Sequence, residues 1–226
     1  MSISMRGDDQ FGAVLVLILA VLTLAPFESS VIRPVISGLL ALTIVFSLWT
    51  AGAPRPVVAP LTALAALCLV ASAGGQLIGG RTPRLIYAAV GALLCAGAIV
   101  VVGIRLASHR LVTGRTVAGA LTVYLLLGLL FSFVYVLIGT ARSAGFFAQH
   151  GPVDAVSYLY FSFLTLTTVG YGDLTAGNDL GRMLAVLEAL LGQLYLVTIV
   201  AVLVANIGRE RAAQRRVRRR NEADSG

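Results

Sequence analysis

The chain has 226 residues, of which 58% are hydrophobic and only 12% are charged, and its net charge is +7. Soluble domains carry about 45–50% apolar and about 25% charged residues, so this composition excludes a soluble globular protein. All 17 basic residues are arginine, and seven of them crowd together near the C-terminus: Arg209, Arg211, Arg215, Arg216, Arg218, Arg219 and Arg220. Because the rest of the chain is close to neutral, its charge does not indicate a nucleic-acid partner. The two cysteines lie in apolar runs and indicate no disulfide framework.

Long stretches without charge follow one another along the chain. A helix needs about 20 apolar residues to cross about 30 Å of hydrocarbon, and seven uncharged windows have a suitable length. The window 155–172 differs from the others, because it ends in Thr-Thr-Val-Gly-Tyr-Gly, which is poor material for a lipid-facing helix. We therefore expect a re-entrant segment there, in which a short helix capped by Asp154 or Ser157 precedes an extended strand.

The remaining windows predict an all-α membrane protein with six transmembrane helices, and the re-entrant helix and extended segment lie between helices 5 and 6. The predicted spans are approximately 11–27, 35–53, 57–79, 84–107, 116–140 and 179–207. Cytoplasmic termini would place twelve arginines inside and five outside, which agrees with the positive-inside rule. We expect a multi-pass protein of the cell (plasma) membrane with both termini in the cytoplasm.

The most specific motif follows the predicted short helix. It consists of Thr167, Thr168, Val169, Gly170, Tyr171, Gly172 and Asp173. With a helix before it and a span on either side, this segment resembles the pore domain of tetrameric potassium channels, in which TVGYG is the selectivity filter. The resemblance covers about residues 115–210. It continues at Gly181-Arg182, which has the spacing seen in two-transmembrane bacterial potassium channels, and at Gly192, where such channels place an inner-helix hinge glycine.

The resemblance implies how the filter works. Carbonyl groups of residues 168–171 would bind permeant K⁺, with the Thr168 hydroxyl adding an oxygen at the inner end. Glycines 170 and 172 can adopt a positive φ, and alternating handedness turns successive carbonyls to one side of the strand. One strand cannot surround an ion, so we expect a homo-oligomeric ring, a homotetramer in this family.

Two departures from the family concern the support of the filter. A glutamate pairs with the filter aspartate in some relatives, but the matching position here is Leu164. Many relatives have tryptophans in the pore helix at the positions where this chain has Tyr160 and Phe161. We expect Thr167, Asp173 and Glu188 to support this filter.

Glu188 lies about nine residues into the last span, about 14 Å deep. An ionised carboxylate facing lipid at that depth would be costly. Glu188, Gly192 and Tyr195 share one stripe of the helix. If this stripe faces the pore helix, Glu188 would form a hydrogen bond near Ser162, Thr165 or Thr167. The alternative is a carboxylate in the cavity that concentrates cations.

Three parts of the chain are predicted to have different roles. Residues 1–110 form a four-helix transmembrane domain that lacks the arginines of a voltage sensor, since 85–104 contains no charge. Residues 111–208 form the pore domain, and 209–226 form a basic cytoplasmic tail. The tail would bind anionic lipid headgroups and affect opening, or it would serve only as a topology signal. Gly192 would be a hinge or a close-packing position.

The function predicted from the sequence is passive, potassium-selective conduction. The alternatives are a pore-loop potassium uptake transporter and a less selective cation channel. Transporters built on such loops usually carry several degenerate filters in one chain, whereas this chain has a single intact one. An intramembrane enzyme is rejected, because both histidines lie in loops and no serine–histidine pair can be formed within the bilayer.

Overall fold

The structure is a computed structural model of the whole chain. It describes residues 10–24, 59–60, 62–67, 70, 80–108, 114–142, 145–149, 151 and 153–224. Within these ranges the protein is helical and contains no β-strand apart from one isolated bridge. The described part therefore agrees with the all-α class predicted from the sequence.

Besides the helical residues between 59 and 70, five helices have described bounds, and we number these five in chain order. They are α1 (Gln10–Leu24), α2 (Arg81–Ser108), α3 (Gly114–Ala141), α4 (Ala155–Leu166) and α5 (Asp179–Asp224). Three stretches of them are long and apolar enough to cross a membrane: Arg81–Ile104, Thr116–Ala141 and Asp179–Ile199. They coincide with the fourth, fifth and sixth predicted spans, and the chain is a membrane protein.

The first three predicted spans are only partly described. Helix α1 has 15 residues, which gives about 22 Å, less than the hydrocarbon thickness. The predicted span 35–53 lies outside the described residues. Within 57–79 the described residues are helical up to residue 70. The six-span count and the four-helix domain therefore remain predictions.

Helix α3 is the centre of the described structure, since it contacts all four other helices. Its buried Leu126 and Leu129 pack with Val14 and Ile18 of α1 and with Leu94 of α2. Helix α3 also packs against α4 and α5, and Leu159 and Phe163 of α4 contact the same cluster. Most of the apolar stretch Thr116–Ala141 of α3 is buried within this single chain. Helix α3 therefore positions α4, which packs against it.

Helix α5 is longer than the sequence analysis predicts. The last span was expected to end near residue 207, but the helix continues to Asp224. Between Gly208 and Gly226 the tail contains no glycine or proline and is rich in arginine and alanine, both of which are good helix formers. The basic tail is therefore a helical continuation of the last span.

The loop that contains α4 is closed by backbone pairing at its two ends. The isolated antiparallel bridge joins Phe147 to Ala176. The amide of Ala148 donates to the carbonyl of Thr175, and the amide of Gly177 donates to that of Phe146, both at 2.8 Å. The chain thus returns, after α4 and the filter motif, to the place where it left.

Candidate ion-binding filter

Helix α4 begins at a well-formed N-cap. Asp154 has extended backbone angles, and its carboxylate accepts hydrogen bonds from the amide and the hydroxyl of Ser157, at 2.8 and 2.7 Å. This cap satisfies backbone donors that the first turn of a helix leaves unpaired. The sequence analysis named Asp154 and Ser157 as the candidates, and the structure confirms Asp154 as the cap.

The filter motif starts immediately after the last turn of α4 and folds back on it. The amides of Val169 and Gly170 both donate to the carbonyl of Leu164, at 2.9 and 3.2 Å. The amide of Thr168 donates to the carbonyl of Thr165 at 3.0 Å. The end of α4 therefore fixes the start of the filter through the backbone.

The backbone of the filter alternates in hand. Gly170 and Gly172 have φ values of +49° and +82°, which confirms the positive φ expected of these glycines. Thr168 also has a positive φ, +59°, and it is the one such non-glycine residue in the described part of the chain. The sequence analysis missed this, because β-branched residues rarely adopt that conformation. Every second residue from 168 to 172 is thus left-handed.

The filter is exposed in the single chain. All residues from Thr167 to Asp173 are exposed, and the side chain of Tyr171 is exposed to 73%. A Cβ atom added to Gly170 or to Gly172 would have no neighbouring atom within 4 Å. One chain therefore presents the strand on its surface and does not enclose an ion.

Asp173, at the outer end of the filter, is held by α4. Its carboxylate accepts a 2.8 Å hydrogen bond from the hydroxyl of Tyr160. This bond raises the pKa of Tyr160 above its ordinary value, because an ionised phenol could not donate. This contact was not predicted from the sequence; the available signal was the hydrogen-bond donor on the aromatic ring of Tyr160, in the helix that precedes the filter motif.

Glu188 is buried between three helices. Its Oε1 lies 2.5 Å from the Ser162 hydroxyl of α4, and its Oε2 accepts a 2.7 Å hydrogen bond from Tyr135 of α3. Ser162 is one of the three partners that the sequence analysis proposed, whereas Tyr135 was missed. Thr167, another of the three, donates instead to the carbonyl of Phe163 at 2.6 Å.

Gly192 lies against the end of α4. A Cβ at this position would fall well inside van der Waals distance of the Leu166 carbonyl oxygen and 2.8 Å from Leu166 Cδ1. The same carbonyl accepts a hydrogen bond from Tyr124 of α3 at 3.2 Å. Helix α5 is not interrupted at Gly192. The geometry favours close packing over the hinge, which remains a prediction.

Comparison with known proteins identifies this region. Residues 119–209 match the family model described as "Ion channel". This part of the chain is similar to ion-channel domains. The match begins near the start of α3, includes α4 and the filter motif, and ends within α5. No curated protein and no solved structure matches the chain.

Helix α5 is largely exposed in the single chain. Only 11% of the apolar window Asp179–Ile199 of α5 is buried. Large apolar side chains are exposed along this window, among them Leu180, Met183, Val186, Leu187, Leu190 and Leu194. All seven tail arginines lie further along the same helix, where the channel domain ends.

Proposed function

We propose that four copies of this chain form a potassium-selective channel that conducts K⁺ passively. The observation that carries the proposal is the TVGYG segment, exposed after a capped helix, with left-handed residues at 168, 170 and 172. A backbone that alternates in hand directs successive carbonyls towards one side, where they can replace the water shell of an ion.

The ligands of the permeant ion belong to consecutive residues. In this proposal K⁺ is bound by carbonyls of Thr168, Val169, Gly170 and Tyr171, and Gly172 provides the second glycine of the strand. Thr167 ends α4 as its C-cap, and Asp173 is bonded to Tyr160. These two contacts support the ends of the filter.

A homotetramer explains why two surfaces of the single chain are exposed. The filter residues are exposed, and the apolar face of α5 has few partners within the chain. A closed ring of identical chains would bury both surfaces and would bring one filter strand from each chain to a common axis. The closed loop between Phe147 and Ala176 supports a re-entrant segment that enters and leaves on one side of the membrane.

The location proposed is the plasma membrane, with both termini in the cytoplasm. The distribution of arginines supports this orientation, because the tail arginines continue directly from the last span. Anionic lipid headgroups are the proposed partners of the tail, through its charge. The residues before 111 are proposed to form a separate transmembrane domain that does not sense voltage.

Flux through the purified full chain in liposomes tests the proposal. We expect K⁺ and Rb⁺ to pass, driven only by their own gradients, and Na⁺ to be excluded. A requirement for a gradient of a second ion would indicate the transporter instead. Appreciable Na⁺ flux would indicate the less selective cation channel. The mass of the native complex should equal four chains, and any other number would contradict the tetramer.

A further inference from the structure

A buried group of oxygens joins three helices behind the filter, and we call it the Glu188 cluster. It consists of the side chains of Glu188, Ser162 and Tyr135 and the carbonyl of Gly128. Ser162 Oγ lies 2.7 Å from the Gly128 carbonyl oxygen and 2.5 Å from Glu188 Oε1, and Tyr135 Oη lies 2.7 Å from Glu188 Oε2. None of the three side chains is accessible to solvent.

These three contacts require three protons. Each hydroxyl supplies one proton, and the carbonyl supplies none. With an ionised Glu188 the cluster has only two protons. One of the two short contacts of Ser162 would then bring two acceptors together with no proton between them. A neutral carboxylic acid supplies the missing proton. Glu188 then donates to Ser162, Ser162 donates to Gly128, and Tyr135 donates to the other oxygen of Glu188.

The surroundings of Glu188 also disfavour a charge. The described residues form no ion pair with it, and the titratable groups that face it from α3 are two phenols, Tyr135 and Tyr124. A buried carboxylate without a cation carries a large desolvation cost. In the described part of the chain every buried polar side-chain atom has a hydrogen-bond partner, so the cluster is complete once Glu188 is protonated.

We infer that Glu188 is held as a neutral carboxylic acid and acts as a positioning residue for the filter. It joins α5 to α4 at Ser162, two residues before Leu164 and four before Leu166. The carbonyl of Leu164 holds the amides of Val169 and Gly170. Glu188 therefore acts on the filter through α4, and it neither binds the ion nor places a charge in the ion path.

Infrared spectroscopy of the full chain in liposomes tests the protonation. A protonated carboxylic acid has a carbonyl stretch that a carboxylate lacks. At neutral pH, where exposed carboxyls are ionised, we expect this band in the wild type and its absence in Glu188→Gln. Absence of any such difference would overturn the inference. Tyr135→Phe should keep the band but move it to higher frequency, since the acid carbonyl loses a donor. An unchanged frequency would also contradict the assignment.

Ion selectivity tests the positioning role. The glutamine amide can donate to Ser162 and accept from Tyr135, as the neutral acid does, so Glu188→Gln should keep the K⁺ over Na⁺ selectivity of the wild type. Glu188→Leu leaves buried hydroxyls unpaired and should lower that selectivity by about ten-fold. The control is Thr23→Val, which removes an exposed hydroxyl from α1, outside the matched region 119–209, and should change neither selectivity nor thermal stability.

Two results would overturn the positioning role. One is a glutamine variant as impaired as the leucine variant, because a charge would then be required. The other is a leucine variant that behaves as the wild type does. If Glu188→Leu does not fold, Ser162→Ala replaces it, because this change breaks the same link from the α4 side. We expect Ser162→Ala to lower selectivity while the infrared band of Glu188 persists; unchanged selectivity would contradict the inference.

Discussion

At the scale of single residues, the backbone of the filter combines two kinds of left-handed position. Gly170 and Gly172 reach positive φ without a steric cost, whereas Thr168 reaches +59° with a β-branched side chain. Strained residues of this kind persist when the surrounding structure determines them. Here the amide of Thr168 donates a hydrogen bond to the carbonyl of Thr165. The cost is consistent with a functional role for the Thr168 oxygens.

Gly170→Ala tests the need for this backbone. Alanine at φ +49° costs about 1–2 kcal/mol in each subunit, and we expect conduction to be abolished. Gly145→Ala is the matched control, because Gly145 has a φ of +76° and equally open surroundings but lies outside the filter. Flux in liposomes measures both variants. If both lost conduction equally, general backbone strain would be the cause and the role of Gly170 would be contradicted.

Tyr160→Phe tests the support of the outer end of the filter. Removing the hydroxyl leaves Asp173 without its α4 donor, so we expect conduction to decline several-fold faster during sustained recording. Asp173→Asn is the informative comparison, because its amide oxygen can still accept the bond while the charge is removed. Conduction of the Asp173→Asn variant should decline more slowly than that of Tyr160→Phe. The reverse order would assign the support to the charge and not to the hydrogen bond.

At the scale of elements, α4 is held from both sides. Its Leu166 carbonyl accepts from Tyr124 of α3, and Gly192 of α5 lies against the same group. Tyr195, one turn further along α5, donates to the carbonyl of Ala120 at 2.7 Å and stacks on Tyr124 at 6.0 Å between ring centroids. Buried tyrosines need such partners for their hydroxyls. Helices α3, α4 and α5 therefore contact one another near Leu166, where α4 ends and the filter motif begins.

Gly192→Ala separates the packing and hinge interpretations. Overpacking against a backbone carbonyl costs about 1–3 kcal/mol, and the gain in helix propensity of up to about 1 kcal/mol does not offset it. We expect a lower thermal stability of the proposed tetramer. Gly103→Ala, where a Cβ meets nothing within 4 Å, should not lower it. Unchanged stability together with a changed open probability would support the hinge.

At the scale of the whole molecule, α5 has two chemically different parts. The apolar part exposes leucines to a partner or to lipid, and the following part carries the seven arginines. The helix is continuous from Asp179 to Asp224. In the proposed channel it would provide a direct route from headgroup binding to opening.

Removal of residues 211–226 tests this route. Each arginine near an anionic surface contributes about 1 kcal/mol, so K⁺ flux of the full chain should depend on the fraction of anionic lipid in the liposomes. The truncated chain should lose most of this dependence. A variant with lysine at all the tail arginines should retain it, because the charge is unchanged. Equal lipid dependence of full and truncated chains would leave the tail only as a topology signal.

The sequence alone determined the features that consecutive residues encode. The last three apolar spans, the Asp154 cap and the positive φ of Gly170 and Gly172 were predicted and agree with the structure. Each depends on local composition, on capping chemistry or on the absence of a Cβ, and none requires knowledge of a neighbour. The family resemblance was carried by the same short motif.

Only the tertiary structure decided which side chains meet. Helical spacing predicts that Glu188 lies on one face of the helix with Gly192 and Tyr195. Its hydrogen-bond donor Tyr135 could not be predicted in this way, because it lies 53 residues away on another helix. The Tyr160–Asp173 bond and the contact of Gly192 with Leu166 depend likewise on how the helices are rotated and how closely they pack. Several rotations of an apolar helix have a similar hydrophobic burial, so periodicity alone does not choose between them. The choice is made by small residues that permit close approach and by buried polar groups that must find partners.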